Sequence, residues 1–234
     1  MIKNSILLCT FNEGKYIKDT ILSLKKNIPD LEIIIVDDNS FDETISVISS
    51  LNTIDNLKVI QRKRTNGLGS AFQRALIESK GENIGWIDAN MGNLANMFPK
   101  MIIELDNHDL VLLSRYVDGG SDERSLLRVF CSKLINFFCR FILSNKIKDY
   151  TSSIFIMKRS TLNETVLLGY GHGDFFIEFL YSVIQKRLSI KEIPYKQKKD
   201  QVESSSNTAP NLVRFFILGF FYFTRILITR FRRN

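Results

Sequence analysis

With 234 residues, 44% of them hydrophobic, the chain can bury a substantial core without disulfides or a structural metal. Its three cysteines, Cys9, Cys131 and Cys139, form no CxxC pair, and its two histidines, His108 and His172, are too few and too scattered for a zinc cluster. The cysteines therefore read as reduced core residues, and the net charge of +7 favours anionic partners: nucleotides, phospholipid headgroups or nucleic acid.

No signal-peptide pattern opens the chain: Met1-Ile2-Lys3-Asn4 runs straight into a strand-like segment, so the folded part is expected to face the cytosol. Strands are expected at 5–9, 31–37, 57–61, 83–88, 109–114, 153–158 and 188–195, with helical patterns between them. The first helix gathers Tyr16, Ile17, Thr20, Ile21 and Leu24 on one face, and a later one gathers Leu68, Ala71, Phe72, Ala75 and Leu76. This alternation predicts βαβ units and a mostly parallel α/β sheet flanked by helices.

Ile33 to Val36 is an unbroken β-branched run, as expected of a strand covered on both faces. It stops at Asp37, Asp38, Asn39 and Ser40, at the carboxyl end of the strand, where open α/β sheets bind ligands. Two acids there suit a ribose, a base edge or a metal; capping of the next helix, with Ile45, Ile48 and Leu51, is the simpler alternative. A second acidic site, Trp86-Ile87-Asp88-Ala89-Asn90, again ends an apolar run. An Asp-x-Asp in this place would hold a divalent ion that clamps a diphosphate. Asn90 offers only a neutral amide oxygen, so binding of Mg²⁺ or Mn²⁺ is expected to be weaker and to lean on the nucleotide phosphates.

Further along, a helix from about Arg124 to Leu143 sets Leu126, Leu127, Phe130, Leu134, Phe137, Phe138, Phe141 and Ile142 along one stripe. Its opposite face carries Arg124, Arg128 and Ser132 at i+4 steps. Lys196 to Ala209, rich in Lys, Gln and Ser, reads as a loop before the last helix. That helix, Leu212 to Phe231, is strongly apolar and bracketed by Arg214, Arg225, Arg230, Arg232 and Arg233. Arg225 interrupts it, and an arginine at membrane depth costs on the order of 3 kcal/mol or more. An interfacial helix with its arginines on anionic headgroups is expected; docking on the domain or in a dimer interface is the alternative. The expected division is residues 1–205 as a catalytic domain and 206–234 as a membrane-associating helix, attached to the cytoplasmic face.

These motifs together resemble the family 2 glycosyltransferases of the GT-A fold, closest to the dolichol-phosphate or polyprenyl-phosphate enzymes, over about residues 5 to 205. Thr10-Phe11-Asn12-Glu13 is similar to the family's Thr-Tyr-Asn-Glu, and Val36-Asp37-Asp38-Asn39-Ser40 to its Val-Asp-Asp-Gly-Ser. Gly67-Leu68-Gly69-Ser70-Ala71 resembles its glycine loop, Asp88-Ala89-Asn90 its Asp-Ala-Asp, and Ser114-Arg115-Tyr116 its acceptor-side Ser-Arg-Tyr. Asp149-Tyr150-Thr151-Ser152-Ser153 is similar to its Asp-x-Thr-Ser-Gly, and Glu178 to the glutamate of its Phe-x-x-Glu. The resemblance implies an inverting transfer from a GDP- or UDP-sugar to a polyprenyl phosphate. It assigns the donor side to Thr10, Phe11, Glu13, Val36, Asp37, Asp38, Gly67, Asp88, Ala89, Asn90 and Lys199. Asp88, Arg115, Arg128, Ser132 and Glu178 are assigned as catalytic, with Arg115, Arg128 and Ser132 on the acceptor phosphate, and Asp88 with Asn90 is assigned to the metal.

An ionised phosphate acceptor requires no strong general base. A glycan hydroxyl acceptor, with Asp174 or Glu178 as base, and an inactive nucleotide-binding scaffold are the competing readings. The chain departs from the family where Cys9 replaces a proline and where Lys199 to Ser205 lacks the arginine and final lysine of an Arg-x-x-Gly-x-Ser-Lys pattern. Nucleic acid is disfavoured, because the basic residues lack interleaved aromatics, and an NAD-binding fold because no Gly-x-Gly-x-x-Gly follows the first strand. The oligomeric state is left open.

Overall fold

Alternation along a strand sends neighbouring side chains to opposite faces, and here both faces are covered. Ile33 and Ile35 join one buried cluster with Ile6, Leu8 and Ile17; Ile34 and Val36 join the other with Leu7, Phe72 and Phe155. The computed structural model describes residues 2–64, 67–165, 167, 171, 173–199 and 212–232. In chain order these form β1 (Asn4–Thr10), α1 (Gly14–Asn27), β2 (Glu32–Asp37), α2 (Thr44–Ser49), β3 (Leu57–Gln61), α3 (Leu68–Glu78) and β4 (Asn83–Trp86). A 3-10 helix (Gly92–Met97) leads into α4 (Phe98–Glu104), then β5 (Leu110–Ser114), β6 (Ser121–Asp122), α5 (Leu126–Ile142), β7 (Phe155–Lys158) and α6 (Thr161–Glu164). The remainder comprises α7 (Phe175–Gln185), β8 (Ile190–Pro194), β9 (Lys196–Gln197) and α8 (Leu212–Phe231).

The main sheet has the order β3-β2-β1-β4-β7-β5-β8. All its pairings are parallel except those of β7, which runs antiparallel to β4 and β5. Each strand expected from the sequence is present in this sheet, and α1 and α3 bury the expected faces except for half-buried Tyr16 and Leu68. The start of the expected Lys196–Ala209 loop is instead strand: Lys196 and Gln197 pair with Ser121 and Asp122. Residues 200–211 lie outside the described residues.

The long helix α5 is turned the opposite way from an ordinary amphipathic helix. Leu126, Phe130 and Phe141 are 89%, 63% and 81% exposed, while Ser132, Asn136 and Cys139 are buried. Polar bonds explain this: Asn136 accepts from the Tyr150 amide at 2.6 Å and donates to Thr151 Oγ1 at 2.9 Å, so the helix docks through backbone-satisfying side chains. Alongside it, α8 packs Phe223 against Phe138 at 5.1 Å and buries Ile226. Arg225 does not face outward, as expected for a headgroup contact; it is buried and bonded to Asp174 and Glu178. Desolvating a guanidinium is costly unless acids meet it, and these two do. Among the described residues no helix is long and apolar enough to cross a membrane.

Candidate active site

The strand order reverses between β1 and β4, and such a switch point leaves a crevice outside the carboxyl ends of the strands. A cavity of about 400 Å³ lies there, lined by Thr10 at the end of β1 with Phe11 and Glu13 after it, Asp38 after β2, and Asp88, Ala89 and Asn90 after β4. Gly67, just before α3, lines the same cavity. Its floor is aromatic, built by Trp86, Phe155, Phe175 and Phe176, with the core ring of Phe72 behind it at 4.5 Å from Trp86 and 5.4 Å from Phe175.

Two loops build the acidic wall and brace each other. Asp37 is fully buried and accepts from the Thr10 hydroxyl at 2.9 Å, the Ser40 hydroxyl at 2.5 Å and the Ser40 amide at 2.9 Å. Asp37 therefore holds the turn and does not line the cavity. Asn12 and Asn39 both take left-handed backbone conformations, φ 58° and 66°, which asparagine tolerates better than most residues. Asn12 accepts from the Phe41 amide at 3.0 Å, joining the two turns. Asp38 reaches the cavity, pairs with the Arg62 guanidinium, and accepts from the Gly67 amide at 2.8 Å. Arg62 also donates to Ser70 at 2.6 Å, tying the glycine loop to β2. At φ 88°, Gly67 sits where side chains are strained, which suits glycine.

Burial, then repulsion from Asp88 and Asp42, pushes the Glu13 carboxyl up to about 7. Asp88 accepts a 3.2 Å bond from the Trp86 indole and lies 3.4 Å from the Ser153 hydroxyl. The carboxylate of Asp88 and the amide oxygen of Asn90, with the Glu13 carboxyl in the same cavity, are oxygen donors of the kind a hard divalent cation takes. Among the described residues no group of three or more His, Cys, Asp or Glu is placed to hold a metal alone, so the nucleotide phosphates would have to complete the shell.

The raised Glu13 carboxyl has a sign that can be checked. A carboxyl that binds its proton more tightly folded than unfolded loses stability as pH rises from its ordinary value toward its folded one. Without metal or nucleotide, Glu13→Gln should therefore match the wild-type melting temperature near about pH 4 and exceed it by a few degrees near about pH 8. Melting curves across that range, in EDTA, check this; equal curves at both ends would contradict it.

Several expected site residues lie elsewhere. Val36 is packed in the core, and Lys199 is exposed away from the cavity lining. Arg115 was expected on a phosphate; instead it is buried, with Nε and Nη2 each 2.8 Å from the Asp149 carboxylate and Nη2 2.7 Å from Thr151. Asp149 is fully buried, a condition that raises a carboxyl, yet the Arg115 charge and hydrogen bonds hold it below its ordinary value. Arg128 is half-buried on α5, outside the lining; Ser132 shares a 3.0 Å hydrogen bond with Thr151, which does line the cavity. Glu178 is absent from the lining and is bonded to Arg225 at 3.1 Å and Arg232 at 2.6 Å. Cys9 packs against the core as expected and also lines the cavity, and burial keeps its thiol protonated. His172 lies outside the described residues.

Sequence reasoning missed Arg62, Trp86, Phe175 and Tyr222 as site-forming residues. Arg62 carried a signal, being a cation just past the carboxyl end of β3; Tyr222 carried none, because only the docking of α8 brings it to the cavity.

Residues 5–166 match the profile of Glycosyl transferase family 2. The dolichol-phosphate mannosyltransferase of Pyrococcus furiosus is 28% identical over 200 residues, which is 83% of this chain but 56% of that protein. A polyprenol monophosphomannose synthase of Mycolicibacterium smegmatis is 24% identical over 218 residues, covering 88% of this chain and 82% of its own. The crystal structure of glucosyl-3-phosphoglycerate synthase from Mycobacterium tuberculosis, with Mn²⁺, UDP and glucosyl-3-phosphoglycerate, superposes with a TM-score of 0.74 at 17% identity. That match covers the whole of this chain and 81% of the other, and it shows a shared fold.

Proposed function

We propose, from the premise that this chain belongs to glycosyl transferase family 2 and is a glycosyltransferase, that it moves a sugar from a GDP- or UDP-sugar to a polyprenyl phosphate. The observation that carries this reading is an adjacency. The helices that present apolar faces outward, α5 and α8, also reach the nucleotide-sized cavity: Ser132 of α5 bonds the cavity residue Thr151, and Tyr222 of α8 lines the cavity. A lipid-borne acceptor needs that adjacency, and the two relatives named above carry polyprenol or dolichol phosphate in their names.

In the reaction, a phosphate oxygen of the acceptor attacks the anomeric carbon opposite the leaving group. The carbon–oxygen bond to the diphosphate breaks, and the nucleoside diphosphate departs with the electron pair, inverting the centre. Mg²⁺ or Mn²⁺, held by Asp88 and Asn90 with the nucleotide phosphates, would neutralise the leaving charge. Glu13 and Asp38 are placed to accept from ribose or base donors, and the aromatic floor excludes water. The acceptor oxygen is already ionised, so no base is needed. This agrees with Asp174 and Glu178 being engaged by Arg225. The diagnostic experiment is transfer of labelled sugar into an organic-extractable product whose kcat is kept, with only the KM for the sugar nucleotide raised, in Asp174→Asn and Glu178→Gln variants that stay folded. Transfer to a hydroxyl acceptor that either change abolishes would replace this reading.

We further place the protein at the cytoplasmic face of a membrane, seated through α5 and α8. Leu126, Phe130, Phe137 and Phe141 form an exposed stripe on α5, Phe220, Phe221 and Phe231 are exposed on the neighbouring α8, and Lys133 and Arg230 are exposed on the same two helices. Apolar area flanked by cations suits anionic lipid. Each phenylalanine removed from lipid forfeits about 1.5–3 kcal/mol if fully buried there, so Phe130→Ser, Phe137→Ser and Phe141→Ser together should weaken binding to anionic vesicles by at least about a hundredfold. Vesicle sedimentation checks this, and unchanged partitioning would refute it.

A further inference from the structure

The inner face of α8 is built differently from its outer one. Arg225 and Thr229 are buried and Ile226 fully so, and Tyr222 stands on the same side at helical spacing. Tyr222 lines the cavity together with Asp88, Trp86, Gly173, Phe175 and Phe176. Its hydroxyl lies 3.1 Å from where a Cβ on Gly173 would stand, and Gly173 has φ 93°, so close approach and backbone both call for glycine there. The next residue, Asp174, accepts from Arg225 Nε at 2.9 Å, and Glu178 accepts from Arg225 Nη1 at 3.1 Å. Arg225 thus clamps α8 onto the beginning of α7, the helix that delivers Phe175 and Phe176 to the cavity.

We propose that α8 is a wall of the donor site, with Tyr222 closing the Asp88 end of the cavity around the transferred sugar and Arg225 acting as the positioning residue that holds it there. The inference rests on the sugar-nucleotide reading above. Tyr222 shares the cavity lining with Asp88, and its hydroxyl stands beside Gly173, which puts the phenol on the side where the diphosphate and sugar would meet Asp88. Burial, then Asp174 and Asp88, keeps the phenol protonated, so toward a sugar hydroxyl or a phosphate oxygen it acts as a donor. The helix proposed to rest on the membrane would then also form the site, making its seating and sugar binding one event.

Trp86 is the single tryptophan and lies in the cavity, so its fluorescence reports ligand binding. With the full chain in detergent, Tyr222→Ala should raise the KM for the sugar nucleotide by about tenfold, while the Kd of the free nucleoside diphosphate from Trp86 fluorescence moves less than about threefold. Tyr222→Phe, which keeps the ring, should show the same split at about threefold in KM. Arg225→Ala should reproduce the alanine split, and Arg225→Lys should recover part of it. A merely structural contribution would shift both constants together. An unchanged KM in Tyr222→Ala and Tyr222→Phe, or equal loss for both ligands, overturns the inference. If the wild type neither binds nucleotide nor turns over, the underlying reading fails and this one with it.

Discussion

Replacing Asp88 by asparagine should lower nucleoside diphosphate release from the sugar nucleotide by about 10²–10³-fold, with a melting temperature within a few degrees of wild type. The side chain is at the end of β4, its neighbours Ala89 and Asn90 line the same cavity, and asparagine can still accept the 3.2 Å bond from the Trp86 indole. What the substitution removes is the negative charge, and with Asn90 already neutral no carboxylate would be left in the tripeptide to meet a cation. The same change has a second readout. After burial, Asp88 is the charge that raises Glu13 most, so in Asp88→Asn the Glu13 carboxyl should fall part of the way back toward its ordinary value. Stability should then decline less steeply between about pH 4 and pH 8. Full activity in Asp88→Asn would remove the tripeptide from the chemistry.

Loss of Arg115 should be the most damaging single substitution to the fold, costing about 3–5 kcal/mol, because a buried carboxylate is left without its partner. Asp149 has no exposure, and three bonds from Arg115 reach it: the backbone amide at 3.0 Å and the two 2.8 Å guanidinium contacts. Typical domains have only about 5–15 kcal/mol in hand, so Arg115→Ala should unfold at much lower denaturant. Arg115→Lys should rescue little, since an ammonium cannot supply the planar fork. The pair also has a pH signature. Asp149 is held below its ordinary value, so its contribution is fully present above that ordinary value and is lost as pH falls through the depressed one. Acid sensitivity of the wild type that is absent in Asp149→Asn, measured by chemical denaturation, is the expected result. A wild-type midpoint in Arg115→Ala would show that the ion pair is dispensable.

Much of this architecture could be read from the chain because buried strands are short apolar runs, as β1, β2 and β5 are, while the edge strands β3 and β8 keep enough apolar residues to be found although Lys58, Gln61, Lys191 and Glu192 interrupt them. The antiparallel direction of β7 could not, since Phe155–Lys158 has the same composition whichever way it runs. Helical periodicity identified the stripe on α5 but says nothing of what covers it; the outward orientation is set by Asn136 and Ser132, through bonds to a turn that follows the helix. Asp37 and Asp38 looked alike in sequence. The pleat separates them, sending one into the Thr10 and Ser40 turn and the other to the cavity beside Arg62. Arg115 and Glu178 were assigned to the site through resemblance to family motifs, and the partners that engage them here, Asp149 and Arg225, lie 34 and 47 residues away. Tyr222 is farther still from the residues it meets, and no local pattern announces it.

The central claim is that the cavity at the ends of β1, β2 and β4 passes a sugar from a nucleotide to a lipid phosphate. Its most direct test is release of nucleoside diphosphate from a panel of UDP- and GDP-sugars, with and without a short polyprenyl phosphate, in Mg²⁺, Mn²⁺ and EDTA. Release that requires both the lipid phosphate and a divalent ion, from at least one donor, is the result predicted. Silence across the panel while nucleotides still quench Trp86 would contradict it and leave a nucleotide-binding scaffold.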